Sequence, residues 1–182
     1  MLRRLSIFAR AREGLAAVEF GLIAPVMVTL LLGTIEVCNA LECHTKVTEL
    51  ASTAADLVAQ ETSVSAADMT NIFDATTSVI YPFPVNNAKI VITSVLSDGN
   101  GGGTVGWSVA QNTDPRTDGD PVTIPDGLMP KDSCAANACS VILAEVTYSY
   151  SSPVGKFIVG PVDMTDVFYS HPRKSATVDY TG

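Results

Sequence analysis

The chain has 182 residues, nearly half of them hydrophobic, with 19 acidic side chains against 11 basic ones and a formal net charge of −8. That length suits one domain, or one domain with an anchor. The charge is split: residues 1–13 carry Arg3, Arg4, Arg10 and Arg12 against Glu13, whereas residues 14–182 carry seven basic and eighteen acidic side chains, for −11. A body this acidic excludes a nucleic-acid-binding role, which needs clustered cations to neutralise phosphates.

Between the basic and acidic parts lies an apolar run. From Leu15 to Ile35 there are twenty-one residues with Glu19 as the sole ionisable side chain. As a helix this spans roughly 31 Å, enough to cross a bilayer as a single pass. The arginines on one flank predict a cytoplasmic N-terminus and an exported C-terminal part. Three other readings exist, of which a lipoprotein signal fits worst, because Glu36 and Glu42 put a carboxylate close to Cys38 and Cys43. A core helix would be shorter and carry more charge. A cleaved secretory signal would put Cys38 and Ala40 before the cut, but its apolar region would be long and Glu36 would interrupt its boundary.

Two residues interrupt the run. Pro25 cannot donate to the carbonyl of Gly21 and crowds it, so a kink or local unwinding is expected there. Glu19 is costly in lipid, on the order of 2.5 to 3.5 kcal/mol at mid-membrane and less near the end. Either it snorkels to the headgroups or it meets a partner charge inside the membrane.

Beyond Glu36 the helix is expected to continue, with Val47, Leu50, Ala54, Leu57 and Val58 as an apolar stripe opposite Lys46, Glu49 and Asp56. Ser65-Ala66-Ala67-Asp68 predicts a capping box that starts a second helix. Its buried face would be Met69, Ile72, Phe73, Thr76 and Ile80, and Tyr81-Pro82-Phe83-Pro84 would end it.

After Pro84 the pattern is that of strands. Ala88–Leu96 and Thr104–Gln111, the latter alternating Val105, Trp107 and Val109, flank the turn Asp98–Gly103 and predict a hairpin. Residues 112–140 are polar and rich in Pro, Asp and Gly, and predict a long surface loop. Val141–Ser151 predicts a strand with Ile142, Ala144, Val146, Tyr148 and Tyr150 on one face, and Asp166–Ser170 a shorter one. The fold class is therefore α+β: a long N-terminal helix on a small, mostly antiparallel sheet.

Four cysteines in an exported chain allow three complete pairings. Cys38 and Cys43 are about 140° apart around a helix and are not expected to bridge. Cys134 and Cys139 flank four small residues and are the disulfide candidates. Neither histidine, His44 or His171, sits with that pair, so no metal site is expected there. Asp114, Asp118, Asp120 and Asp126 lack the spacing of an EF-hand and read as a solvated acidic loop rather than a calcium site. No nucleophile elbow, phosphate loop or paired-carboxylate motif is present, so the chain is not expected to be an enzyme or to need a cofactor.

The stretch Gly14-Leu15-Ala16-Ala17-Val18-Glu19-Phe20, with Pro25 and a Leu-rich run into Gly33-Thr34-Ile35-Glu36, resembles the N-terminus of the TadE-like pseudopilins of the tight-adherence (Flp, type IVb) pilus assembly system. The segments EVTYSYSSPVGKF and FYSHPRKS resemble that family's closing strands more loosely. The resemblance implies a basic leader, residues 1–14, cut by a prepilin peptidase between Gly14 and Leu15. It also implies a transmembrane helix over 15–36 and a pilin-like domain over 37–182 in the periplasm. Glu19, fifth in the mature chain, would pair with the new α-amine of Leu15 on its own or a neighbouring chain. Pro25 would adjust packing against other pilin-like helices. The implied location is a bacterial inner membrane, and the implied partners are the peptidase, other pilins or pseudopilins, the assembly platform and the lipid bilayer. The alternative is a membrane-anchored or secreted periplasmic binding domain with no pilus role.

Overall fold

A computed structural model describes residues 14–129, 134–152 and 160–182. Arg3, Arg4, Arg10 and Arg12 lie outside the described residues, as does the end of the segment EVTYSYSSPVGKF. The architecture is α+β: helix α1 (Leu15–Ala59), strand β1 (Ser63–Val64), helix α2 (Ala66–Thr77), then strands β2 (Ala88–Ser97), β3 (Gly103–Gln111), β4 (Pro121–Val122), β5 (Ser140–Tyr150), β6 (Val162–Ser170) and β7 (Asp179–Tyr180).

Helix α1 has two halves of different character. Its C-terminal half buries Cys43, Val47, Leu50, Ala51, Ala54, Ala55, Val58 and Ala59, a stripe at helical spacing that forms one wall of the main core. The expected stripe needs two corrections. Leu57 sits at its border, half-buried, and the positions between the large side chains are alanines, which let the sheet approach the helix closely. Cys43, read in the sequence only as a thiol, is wholly buried.

Helix α2 starts at the capping box, with Ser65 accepting from the Asp68 backbone N–H and the Asp68 carboxylate accepting from Ser65. The hydrogen bonds from Ser65 hold the Asp68 carboxyl below its ordinary pKa. Met69, Phe73 and Thr76 are buried as expected, and Ile80 reaches the core from a 3-10 turn that follows the helix.

The main sheet is antiparallel throughout, in the order β4-β3-β2-β5-β6. Its helix-side face carries Ile90, Ile92, Ile142, Ala144, Val146, Tyr148 and Tyr150 into the main core. The alternation expected along β3 is broken. Ser94 pairs with Trp107 and Val95 with Val105, so Gly106 is an extra residue and forms a β-bulge. A Cβ there would lie 2.8 Å from Leu96 Cγ and 3.3 Å from the Ser94 carbonyl oxygen. The bulge reverses the pleat: Trp107 and Val109 face the helix, while Val105 faces the other side.

That other side holds a second core. Strands β2 and β5 are apolar on both faces, so the outer face also needs a cover. Residues 112–129 supply it. Instead of a purely polar surface loop, Val122, Ile124 and Met129 pack on Val95, Val105, Val141 and Leu143. The segment is pinned by Val105 N–H to the Asp120 carbonyl (2.9 Å) and by two 2.7 Å bonds from the Arg116 guanidinium to the Glu145 carboxylate, and further along the chain Ser97 Oγ donates to the Cys134 carbonyl (3.1 Å).

Strand β6 is longer than expected, starting at Val162. Asp163 and Asp166 interrupt the apolar pattern there, but their carboxylates bond to Ser149 and Thr48, so the strand tolerates them. The parallel ribbon of β1 with β7 has no counterpart in the sequence reading, because two-residue strands carry no periodicity. Trp107 anchors it: the indole Nε1 donates to the Val178 carbonyl at 2.7 Å, and the ring stacks on Tyr180 at 5.6 Å.

Candidate functional site: the exposed N-terminal helix

The N-terminal half of α1 makes little contact with the fold. An eighteen-residue stretch of mean hydropathy 2.2 lies entirely outside it, and this is a helix long and apolar enough to cross a membrane. Leu15, Phe20, Leu22, Leu30 and Leu31 are all more than half exposed. Burying each would be worth at least ~1.5 kcal/mol, so leaving the whole run in water would cost more than the ~5–15 kcal/mol that holds a typical domain together. A core-helix reading is excluded, since a core helix would be covered.

Polar groups on this segment are dealt with locally. Thr29 Oγ1 donates to the Pro25 carbonyl and Thr34 Oγ1 to the Leu30 carbonyl, both at 2.8 Å, which hides each hydroxyl against its own helix. The helix runs without interruption through Gly21 and Pro25, so of the kink or local unwinding expected there, the unwinding is absent. A lost hydrogen bond in a long helix is offset by intact turns on either side.

Gly14 occupies the N-cap position of α1 with φ −82° and ψ −18°, and among the described residues no non-neighbouring atom comes within 4 Å of where a Cβ would stand. Leu15 is 59% exposed. The pair is thus accessible at the start of the apolar run. Glu19, one turn further along, is also exposed.

At the other end of the run, Glu36 and Ala40 are the first positions to meet the domain. The Glu36 carboxylate accepts from Ser152 Oγ, and the neighbouring cleft is lined by Val37, Ala40, Tyr150, Val162 and Met164. This contact was not legible in the sequence, although Glu36 as the first carboxylate after the run was the available signal. The domain therefore begins where the apolar exposure ends.

Cys134 and Cys139 lie at disulfide distance, with Cα atoms 5.9 Å apart. Cys134 lies at the outer-face cover, where its carbonyl accepts from Ser97 Oγ. Cys38 is exposed and Cys43 buried, about as far apart around the helix as expected. Burial, with a smaller contribution from Glu42, pushes the Cys43 thiol up to about 11. Below pH 9 its thiolate should therefore be roughly a hundredfold scarcer than that of an unperturbed thiol. Brief alkylation of the folded chain at pH 8 is expected to label Cys38 completely and Cys43 hardly at all. Equal labelling of both, read by peptide mass spectrometry, would contradict this packing.

The described residues contain no group of three or more His, Cys, Asp and Glu side chains placed to hold a metal ion. Asp114, Asp118, Asp120 and Asp126 are all exposed along the cover segment.

The feature that stands out is therefore an unpartnered apolar helix that begins at an accessible Gly-Leu pair, carries a carboxylate one turn in, and continues into a domain. Residues 14–56 match the TadE-like protein family. The match starts at Gly14, spans the apolar run and ends within the half of α1 that walls the main core. No curated protein and no solved structure matches the chain. The TadE-like segment thus comprises nearly all of α1, and the sheet lies beyond it.

Proposed function

We propose that this chain is a TadE-like pseudopilin that acts in assembling a tight-adherence (Flp, type IVb) pilus. In this reading residues 1–14 are a leader removed by a prepilin peptidase. Residues 15–36 cross the inner membrane once, with the arginines of the leader on the cytoplasmic side. Residues 37–182 form the periplasmic domain. The single observation that carries the reading is that the family match, residues 14–56, covers the whole exposed apolar run of α1.

Each noted residue then has a task. Gly14 and Leu15 form the cut site, open to an approaching enzyme. Glu19 supplies a carboxylate that meets the new α-amine of Leu15 on its own or a neighbouring chain, so that two charges in lipid offset each other. Pro25 adjusts the helix where it lies against other pilin-like helices. The chain performs no catalysis of its own; it is a substrate of the peptidase and then a structural part beside other pilins and the assembly platform.

Intact-mass measurement of the protein recovered from membranes tests the reading. A chain that starts at Leu15 is the expected result. A start at Met1 would leave a plain anchor, and a start at Leu41 would make the helix a secretory signal; either would overturn the proposal.

A further inference from the structure

Outside α1, the exposed large apolar side chains among the described residues are Tyr81, Val85, Val162, Val167 and Phe168, and the last three lie on β6. Strand β6 closes one side of the five-stranded sheet. On the opposite side β3 is paired with β4 and with Gly119 and Asp120. Among the described residues strand β6 has no such cover. The ladder parity says which of its backbone groups are free. Ser97 N–H donates to the Cys139 carbonyl, so the odd residues of β5 turn their backbone groups to β2 and the even ones to β6. In the β5–β6 register the even residues of β6 face those groups. The odd residues Asp163, Thr165, Val167 and Tyr169 therefore turn their N–H and C=O groups outward. Val167 N–H is taken up by the Asp166 carboxylate at 2.8 Å; for the other three, no outward backbone bond is made among the described residues.

A free edge about 30 Å long with apolar side chains on both faces is a template for strand addition. Beside it runs a groove of about 640 Å³ between α1 and the end of β6, lined by Leu57, Phe168 and Arg173 among others. Toward the other end the Asp163 carboxylate accepts from Ser149 and the Asp166 carboxylate from Thr48 and the Val167 N–H, and neither has a cation among the described residues.

We propose that β6 is a docking edge for an extended strand of a different polypeptide, antiparallel to β6, apolar at its centre and basic toward its C-terminal end. Val167 and Phe168 receive its apolar side chains, and Asp163 faces its cations. The acidic exported part, −11 over residues 14–182, favours the same sign of partner.

A second copy of this chain does not fit, and here the inference rests on the proposed membrane reading. Along α1, Val37 and Ala40 lie near Val162 and Met164, Thr48 bonds to Asp166, and Asp56 pairs with Arg173. Helix α1 and β6 therefore run in the same direction. Two β6 strands paired antiparallel would point their membrane helices in opposite directions. Pairing β6 with the β3 edge of a copy keeps the helices aligned but sets them about 19 Å apart, four strand spacings, when packed helices sit ~8–10 Å apart.

The test uses the full chain in detergent and a synthetic nine-residue peptide of alternating Thr and Val that ends in two lysines. At saturating peptide, hydrogen exchange at the Asp163, Thr165 and Tyr169 amides should slow at least tenfold. The same peptide with alternate residues N-methylated should have no effect, and lysine-to-glutamate replacement should weaken binding at least fivefold at low salt. Thr165→Pro, which removes an outward N–H and leaves the β5 ladder intact, should abolish the protection. Unchanged exchange with the first peptide, or equal effect of the N-methylated one, would overturn the proposal. Protection of these amides without peptide, in a chain that sediments as a dimer, would assign the edge to a second copy and overturn it too. None of these readouts depends on cleavage at Gly14, so they fail or succeed separately from the pilus assignment.

Discussion

Replacing Gly14 with valine should leave the chain at its full precursor length, with mature protein falling below about a tenth of its normal level. The structure separates this effect from misfolding. Among the described residues no non-neighbouring atom stands within 4 Å of the position a Cβ would take, and φ at Gly14 is negative, so valine fits there without backbone strain. The position lies far from both cores, and an exposed substitution of this kind changes stability by only ~0.5 kcal/mol or so. A loss of maturation would therefore report recognition by the peptidase, with the fold intact. Intact mass and a thermal melt of the purified variant check the two parts. Normal maturation of Gly14→Val would sink the proposed cut site.

The second large effect should come from Trp107. Its ring is buried against the main core and stacked on Tyr180, and its Nε1 holds the Val178 carbonyl. Trp107→Ala should lower stability by about 3–5 kcal/mol, since it opens a large cavity and frees a carbonyl at once. Trp107→Phe keeps most of the area and should cost less than half of that. Urea unfolding of the full chain in detergent measures both. Hydrogen exchange should show the β7 amides losing protection in the alanine variant before the β2–β5 ladder does. A loss under about 1 kcal/mol for the alanine variant would mean that the ribbon is held by something else.

The parts of the fold that were legible in the sequence are those with long, regular periodicity. The stripe from Val47 to Val58, the Ser65-Asp68 capping box and the alternation from Ile142 to Tyr150 all state their partners locally. What was not legible depends on one missing or extra residue, or on distant segments meeting. The bulge at Gly106 sends Val105 and Trp107 to opposite faces, which no period-two pattern can express. The cover built from Val122, Ile124 and Met129 was hidden because its apolar residues are sparse among Pro, Asp and Gly, and their burial follows from the two-sided apolarity of β2 and β5. The candidate site divides the same way. Gly14, Glu19 and Pro25 stood out by chemistry against an apolar background, while the contact of Glu36 with Ser152 joins residues 116 positions apart.

The ribbon of β1 with β7 has a consequence for how such a chain would be made. Ser63 and Val64 follow α1 almost directly, whereas Asp179 and Tyr180 come more than a hundred residues later. For a chain threaded across a membrane behind an N-terminal anchor, the exported half of α1 would emerge first and wait with its Cys43–Ala59 face uncovered. Sheet strands would arrive in turn, but the clasp on Trp107 could not close until residue 180 had passed through. Passage of β7 across the membrane would then also be the step that locks the domain, so a translocation stalled before it would be marked by an open ribbon and an accessible indole.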